Sequence, residues 1–229
     1  MTDVSWLEQN GADVPDADDW LSAAELVRLS GLRFPKRRAD WRLGRWTAKR
    51  AVALYLKLSA DPQTLAKVEI RSAPRGAPEV FMVDEPAPVS ISISHREGYG
   101  ACGVARPEVL LGCDLEIVEP RGDAFAADYF TASEQERLAR ALPVDRLRLL
   151  ALLWSGKESV LKALRMGLRI DTRLVSVDPR IEECPDGDWN PLRAVHEGQV
   201  FHGWWRQTGS LVRTLVARPA PERPLTFQT

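Results

Sequence analysis

The chain predicts a mixed fold of helices and strands, built as one large domain or as two small, intimately packed ones. Three observations lead there. Its 229 residues are 45% hydrophobic, enough to bury a core of that size. Two stretches, Ala39–Leu58 and Leu147–Arg165, carry apolar residues at helical spacing. Two others, VSISISH (Val89–His95) and LLGCDLEIV (Leu110–Val118), alternate apolar and polar residues with the period of a strand.

The elements follow in order. Leu21–Leu29 reads as a short helix, with Ser22 as its cap and Glu25 three residues on. In the helix Ala39–Leu58, the residues Trp41, Leu43, Trp46, Ala48, Val52 and Leu56 form the apolar side. Val68–Arg71 is a strand ended by the turn-rich SAPRGAPEV, and Val80–Val83 is the next. In VSISISH, Val89, Ile91 and Ile93 share one face and Ser90, Ser92 and Ser94 the other. Glu97-Gly98 turns the chain into YGACGVA, the partner strand.

In LLGCDLEIV, Leu111, Cys113, Leu115 and Ile117 alternate with Gly112, Asp114 and Glu116, and Pro120-Arg121-Gly122 ends the strand. Thr131 or Ser133 caps the next helix, with Glu134 or Glu136 closing the box. The long helix Leu147–Arg165 stops near Gly167. Leu174–Ala217 reads as short strands with turns at Pro185-Asp186-Gly187 and Glu197-Gly198. The tail RPAPERPLTFQT is proline-rich and reads as mobile, and no internal repeat is legible.

Composition excludes several classes. A net charge of −1 gives no global field to recruit nucleic acid or a membrane surface. No apolar run is long enough to span a bilayer, and the acidic N-terminal stretch lacks a signal pattern. Cys102, Cys113 and Cys184 are odd in number and widely spaced, which argues against a disulfide framework or zinc and for a reducing cytoplasm.

The chemistry concentrates in three places. Asp114 and Glu116 leave the same face of a strand, and two ionised carboxylates that close call for a cation; the plain alternative is a solvent-facing strand edge. Glu158 and Lys162 stand at i, i+4 in a leucine-rich helix with Trp154. They read either as an exposed ion pair or as a third carboxylate and a cation brought to the same site. Three carboxylates suit magnesium, which keeps positions open for water and phosphate.

Ser94 and His95 end the serine-faced strand where a ligand would meet it. Lys36, Arg37, Arg38, Arg42, Arg45, Lys49 and Arg50 form a basic cluster in which Arg38, Arg42, Arg45 and Lys49 make one stripe. That stripe is either a solvated helix face or a grip for several phosphates. Carboxylates for magnesium beside a phosphate grip point to phosphoryl transfer, while the missing Walker loop disfavours an ordinary nucleotide kinase.

Three blocks, in order, resemble the Sfp-type 4′-phosphopantetheinyl transferases: SISH (Ser92–His95), GCDLE (Gly112–Glu116) and WSGKESVLKAL (Trp154–Leu164). The resemblance implies an α/β fold of two similar α+β halves related by a pseudo-twofold axis, with coenzyme A in the cleft between them. The halves would be residues 1–108, the coenzyme A grip, and 109–218, the metal site and catalytic helix, followed by a flexible tail, 219–229. It further implies magnesium, replaceable by manganese, on Asp114, Glu116 and Glu158. Ser94 and His95 would contact the phosphoadenosine part of coenzyme A. Lys157 and Lys162 would flank the pyrophosphate, and Arg38, Arg42 and Arg45 would hold the 3′-phosphate and diphosphate.

Two departures stand out: Gly76-Ala77-Pro78 lacks the family's lysine, for which Arg75 would substitute, and Ser92 replaces an asparagine. The implied reaction moves phosphopantetheine from coenzyme A to a serine of an apo carrier protein and releases 3′,5′-ADP. Glu158, or a water it orients, would be the base, and Lys162 would assist the leaving group. The carrier would serve fatty acid, polyketide, nonribosomal peptide or siderophore synthesis, docking beside the cleft, with the two-half chain working as a monomer. Phe125, Tyr129 and Phe130, just after the metal strand, read as core residues first and as a docking patch second. The rivals are another magnesium-dependent enzyme, such as a nuclease or phosphatase, and a non-catalytic binder of coenzyme A or carrier.

Overall fold

The computed structural model describes residues 1–180 and 187–228, so the Pro185-Asp186 turn and Cys184 lie outside the described residues. The chain runs β1 (Ser5–Asn10), α1 (Ala23–Ser30), α2 (Pro35–Leu56), α3 (Pro62–Lys67), β2 (Val68–Ser72), β3 (Pro78–Met82), β4 (Glu85–Pro86), β5 (Ser90–Arg96) and β6 (Tyr99–Ala105). It continues β7 (Leu110–Ile117), α4 (Asp123–Tyr129), α5 (Ala132–Arg140), α6 (Pro143–Ala163), β8 (Val175–Pro179), β9 (Asn190–His196), β10 (Gln199–Thr208), β11 (Leu211–Arg218) and β12 (Leu225–Thr226).

The expected helix and strand classes are present, with shifted ends. Pro35 and Pro143 open α2 and α6 because proline at the first helical position sacrifices no intrahelical hydrogen bond. Ser22 and Thr131 cap α1 and α5, each in a reciprocal box with the glutamate three residues on.

Among the described residues the strands form sheets ordered β12-β1-β6-β5 and β7-β11-β10-β9-β8, with a small sheet β2-β3-β4. A common order of elements appears twice. A first strand leads to a long helix, and a closing hairpin returns so that its last strand pairs antiparallel with the first: β6 with β1, and β11 with β7. The repeat that the sequence hides is therefore one of topology. Leu7, Ala48, Val52, Ile91 and Val104 pack the core under α2, while Leu152, Leu153, Val160, Phe201 and Val212 pack the core under α6. Between the two sheets lies a third cluster with Trp6, Leu111, Cys113, Leu115, Trp189 and Leu215.

Two edge strands, β5 and β7, meet where the halves join. The serine face of β5 lies against β7, and its hydroxyls serve the backbone there. Cys113 N–H donates to Ser92 Oγ at 2.9 Å and Leu115 N–H to Ser94 Oγ at 3.1 Å. These bonds satisfy buried edge donors that have no ladder partner. Above β7, α6 lies so close that a Cβ at Gly112 would stand 1.8 Å from the Ser159 carbonyl oxygen, so only glycine fits.

Part of the tail forms a strand that the sequence did not signal. Leu225 and Phe227 donate to the Val4 and Trp6 carbonyls, which lays β12 parallel to β1. The prolines before it, Pro219, Pro221 and Pro224, kept the segment from reading as a strand, but an edge strand needs donors on one side only.

Candidate active site

Asp114 and Glu116 leave β7 toward α6, and α6 returns Glu158 and Lys162 over them. These four line one recess with Ile93, Ser94, His95, Arg96, Leu115 and Trp154. Asp114 is buried and receives Lys162 Nζ at 2.7 Å and Ser94 Oγ at 2.9 Å. Lys162 also donates to the Cys113 carbonyl at 3.0 Å. Burial alone would lower the pKa of this lysine, but Asp114, Cys113 and Glu158 outweigh it and raise it, so Lys162 is a firmly held cation.

Glu116 is buried too. Its Oε1 accepts from Arg121 at 2.8 Å and from Ile117 N–H at 3.0 Å, with Arg96 Nε at 3.3 Å. Glu158 is half-buried and makes no hydrogen bond or ion pair among the described residues. Burial, and then the nearby Asp114, push its pKa up; burial likewise raises that of Glu116.

No group of three metal-ligating side chains is closed around a point among the described residues. Three carboxylates nevertheless share one recess, a donor set of the kind a hard cation takes; Asp114 is paired with Lys162 and Glu116 with Arg96 and Arg121, while Glu158 is unpaired among the described residues. The two arginines escaped the sequence reading: Arg96 follows SISH directly, and Arg121 sits in a loop read only as a strand terminator.

The recess continues as a groove. Lys162 and Ile93 also line an adjoining hollow with the Arg75–Pro78 loop, Leu111 and Arg165. Ile93, His95, Gly76 and Pro78 line a further one with Asp40, Trp41, Gly44 and Arg45. Burial lowers the pKa of His95, which favours a neutral imidazole.

Several candidate residues fall elsewhere. Of the three arginines expected to hold phosphate, only Arg45 lines the groove, stacked 5.1 Å from the Trp41 ring centroid. Arg38 instead donates to the Leu29 carbonyl at 2.6 Å, and Arg42 pairs with Asp18 at 2.8 Å and with the Pro15 and Asp16 carbonyls. Both fasten the approach to α2, because helix ends and loops leave carbonyls that guanidinium groups satisfy. Ser94 lines the recess, but its hydroxyl is spent on Asp114 and Leu115.

Lys157 does not reach the recess at all. It is fully buried on the other side of α6, paired with Glu134 at 2.8 Å. Phe130 is wholly buried in the α6 core, in line with the core reading of the three aromatics; Phe125 and Tyr129 pack edge-on against Trp154, each 5.1 Å between ring centroids.

Residues 110–216, which hold β7, α6 and both carboxylate blocks, match the family model of the 4′-phosphopantetheinyl transferase superfamily. A holo-[acyl-carrier-protein] synthase of Streptococcus agalactiae is 30% identical over 92 residues, 40% of this chain and 77% of that protein. This chain belongs to the 4′-phosphopantetheinyl transferase superfamily.

Within the superfamily, a Synechocystis protein provisionally named a 4′-phosphopantetheinyl transferase is 27% identical over 186 residues, 79% of this chain and 73% of its own. Among solved structures, the holo-(acyl-carrier-protein) synthase of Bacillus anthracis in complex with CoA (3′,5′-ADP) shares 18% identity. The match covers 46% of this chain and 95% of that one with a TM-score of 0.39. The Helicobacter pylori holo-[acyl-carrier-protein] synthase in complex with coenzyme A shares 16% identity over 45% of this chain and 98% of that one, with a TM-score of 0.36. No helix among the described residues is long and apolar enough to cross a membrane.

Proposed function

We propose that this transferase moves the 4′-phosphopantetheine group of coenzyme A onto a serine of an apo carrier protein and releases 3′,5′-ADP. One observation carries the reading. Asp114, Glu116, Glu158 and Lys162 share a recess that opens into a groove bordered by Arg75, Arg165 and Arg45. That groove suits an elongated polyanion with its pyrophosphate at the carboxylate end. Two half-folds in one chain supply both walls, which supports the Sfp type and a monomeric enzyme.

Asp114, Glu116 and Glu158 would hold magnesium, which when bound neutralises charge on the pyrophosphate oxygens. Lys162, paired with Asp114 in this structure, would donate to the leaving phosphate. Arg45 and His95 hold the phosphoadenosine end, and Arg75 stands where the family has a lysine.

A serine hydroxyl is a weak nucleophile until its proton is taken. Glu158 has no partner among the described residues to occupy its carboxylate, and its pKa is raised by burial, so it receives that proton directly or through one water. The serine oxygen bonds to the phosphorus nearest pantetheine, and the bond from that phosphorus to the bridging oxygen breaks. The electron pair leaves with 3′,5′-ADP, steadied by Lys162. Apo carrier incubated with the protein, coenzyme A and magnesium gains the mass of one phosphopantetheine. No gain on acyl, polyketide or peptidyl carriers would overturn the reading.

A further inference from the structure

Lys157 and Glu158 are neighbours in sequence, yet α6 sends them to opposite sides. Glu158 lines the recess, while the Lys157 ammonium is wholly buried. Its Nζ pairs with Glu134 and donates to the carbonyls of Thr172, at 2.9 Å, and Val175. An ammonium has three protons, and these three acceptors take all of them. Glu134 is equally committed: Oε1 accepts Val177 N–H at 2.7 Å and Oε2 accepts Thr131 N–H at 2.8 Å. One ion pair thus fastens the start of α5, the middle of α6 and the chain entering β8.

The first half contains the same device. Lys49 lies at the same distance beyond Pro35 in α2 as Lys157 beyond Pro143 in α6. It is fully buried, pairs with Glu25 at 2.5 Å, and donates to the Trp20 and Leu65 carbonyls at 3.0 and 3.1 Å. Glu25 accepts Ile70 N–H at 3.2 Å in β2 and closes the α1 capping box with Ser22 N–H at 3.0 Å. Each ammonium also sits over an aromatic ring, Trp20 or Phe130. In α2 the next residue is Arg50, so the lysine persists where no carboxylate follows it. The buried lysine belongs to the half-fold and not to a coenzyme grip.

We infer that Lys157 is a positioning residue: by locking α6 to the start of α5 and the entry of β8, it sets the placement of Glu158 over Asp114 without touching coenzyme A. Glu158 makes no hydrogen bond or ion pair of its own among the described residues, so the setting of the helix is what aims it. The inference rests on the metal role proposed for Glu158.

Lys157→Met, Glu134→Gln and Lys49→Met are compared with the unaltered protein for Mn2+ binding by spin-resonance titration, for steady-state transfer and for thermal melting. Lys157→Met weakens Mn2+ binding and lowers kcat by about tenfold or more, as loss of a supporting partner does, while KM for coenzyme A stays within about twofold. Glu134→Gln follows the same pattern, because it releases the same anchor while keeping the lysine. Lys49→Met melts earlier but keeps Mn2+ binding and kcat within about threefold.

A tenfold rise in KM for coenzyme A with intact Mn2+ binding in Lys157→Met would mean direct contact and overturn the inference. So would equal effects of Lys157→Met and Lys49→Met on every readout, which would mark both as merely structural. Should Lys157→Met fail to fold, Glu134→Gln decides, since unaltered Mn2+ binding in it also refutes the anchor. Transfer by the unaltered protein is judged separately on the carrier's mass, so failure of the proposed reaction leaves the Mn2+ comparison readable.

Discussion

Glu158 is the residue on which the proposed chemistry turns. Glu158→Gln should fold, because it removes no hydrogen bond or ion pair formed among the described residues, yet lose at least about a hundredfold in transfer. Melting curves and carrier mass measure the two halves of that statement. The raised pKa values of Glu116 and Glu158 set a pH dependence. A carboxyl group whose pKa is raised by folding favours the folded state while protonated. That contribution is lost as pH climbs from the ordinary value of 4.5 through the raised one. Magnesium binds the ionised form, so its stabilisation of the protein should be larger near pH 8 than near about pH 5. An equal shift in melting temperature at both pH values would contradict the assignment of these groups to the metal. The cluster was legible because strand period fixes the face that Asp114 and Glu116 share, and helical spacing ties Glu158 to Lys162. Arg38, Arg42, Lys49 and Lys157 were not legible as anchors. A stripe of cations shows which side of a helix they occupy, but not which carbonyls of distant segments wait there.

Between elements, the seam of β5 and β7 depends on two hydroxyls. Ser94→Ala would strand the buried Leu115 N–H and remove one support of Asp114, at about 1–3 kcal/mol of stability by denaturant titration. Gly112→Ala is predicted to be worse. A methyl 1.8 Å from the Ser159 carbonyl must lift α6 off β7, carrying Glu158 and Lys162 with it. Transfer activity should then fall more than stability alone explains. β5 and β7 could be read from sequence because each alternates apolar and polar residues, and α6 because its apolar body runs too long for a strand. β1 could not, since Leu7 and Trp6 point to opposite sides of the strand and both are buried. The internal repeat was hidden for a related reason: two copies can share a topology and a lysine anchor while Gln9 and Arg50 occupy strand and helix positions that in the second half carry acids.

At the scale of the whole molecule, the halves are joined by a core and by charge. Trp6 meets Trp189 edge-on at 5.4 Å between centroids, and Glu8 of β1 takes Arg213 of β11 in two bonds of 2.6 and 2.7 Å. Arg213→Met leaves Glu8 without its closest partner in a poorly hydrated seam, and about 3 kcal/mol should be lost in equilibrium unfolding. Unchanged stability would show that Arg206, which also reaches Glu8 at 3.4 Å, suffices.

The pairing of β12 with β1 also concerns the order of synthesis. β1 leaves the ribosome well before β12, and its outer edge is closed only when Leu225–Phe227 arrive. At about 5–20 residues per second, that strand waits on the order of ten seconds or more with the Val4 and Trp6 carbonyls uncovered. Until then the edge of β1 is open to pairing with other strands, so the last strand also protects the first half of the chain.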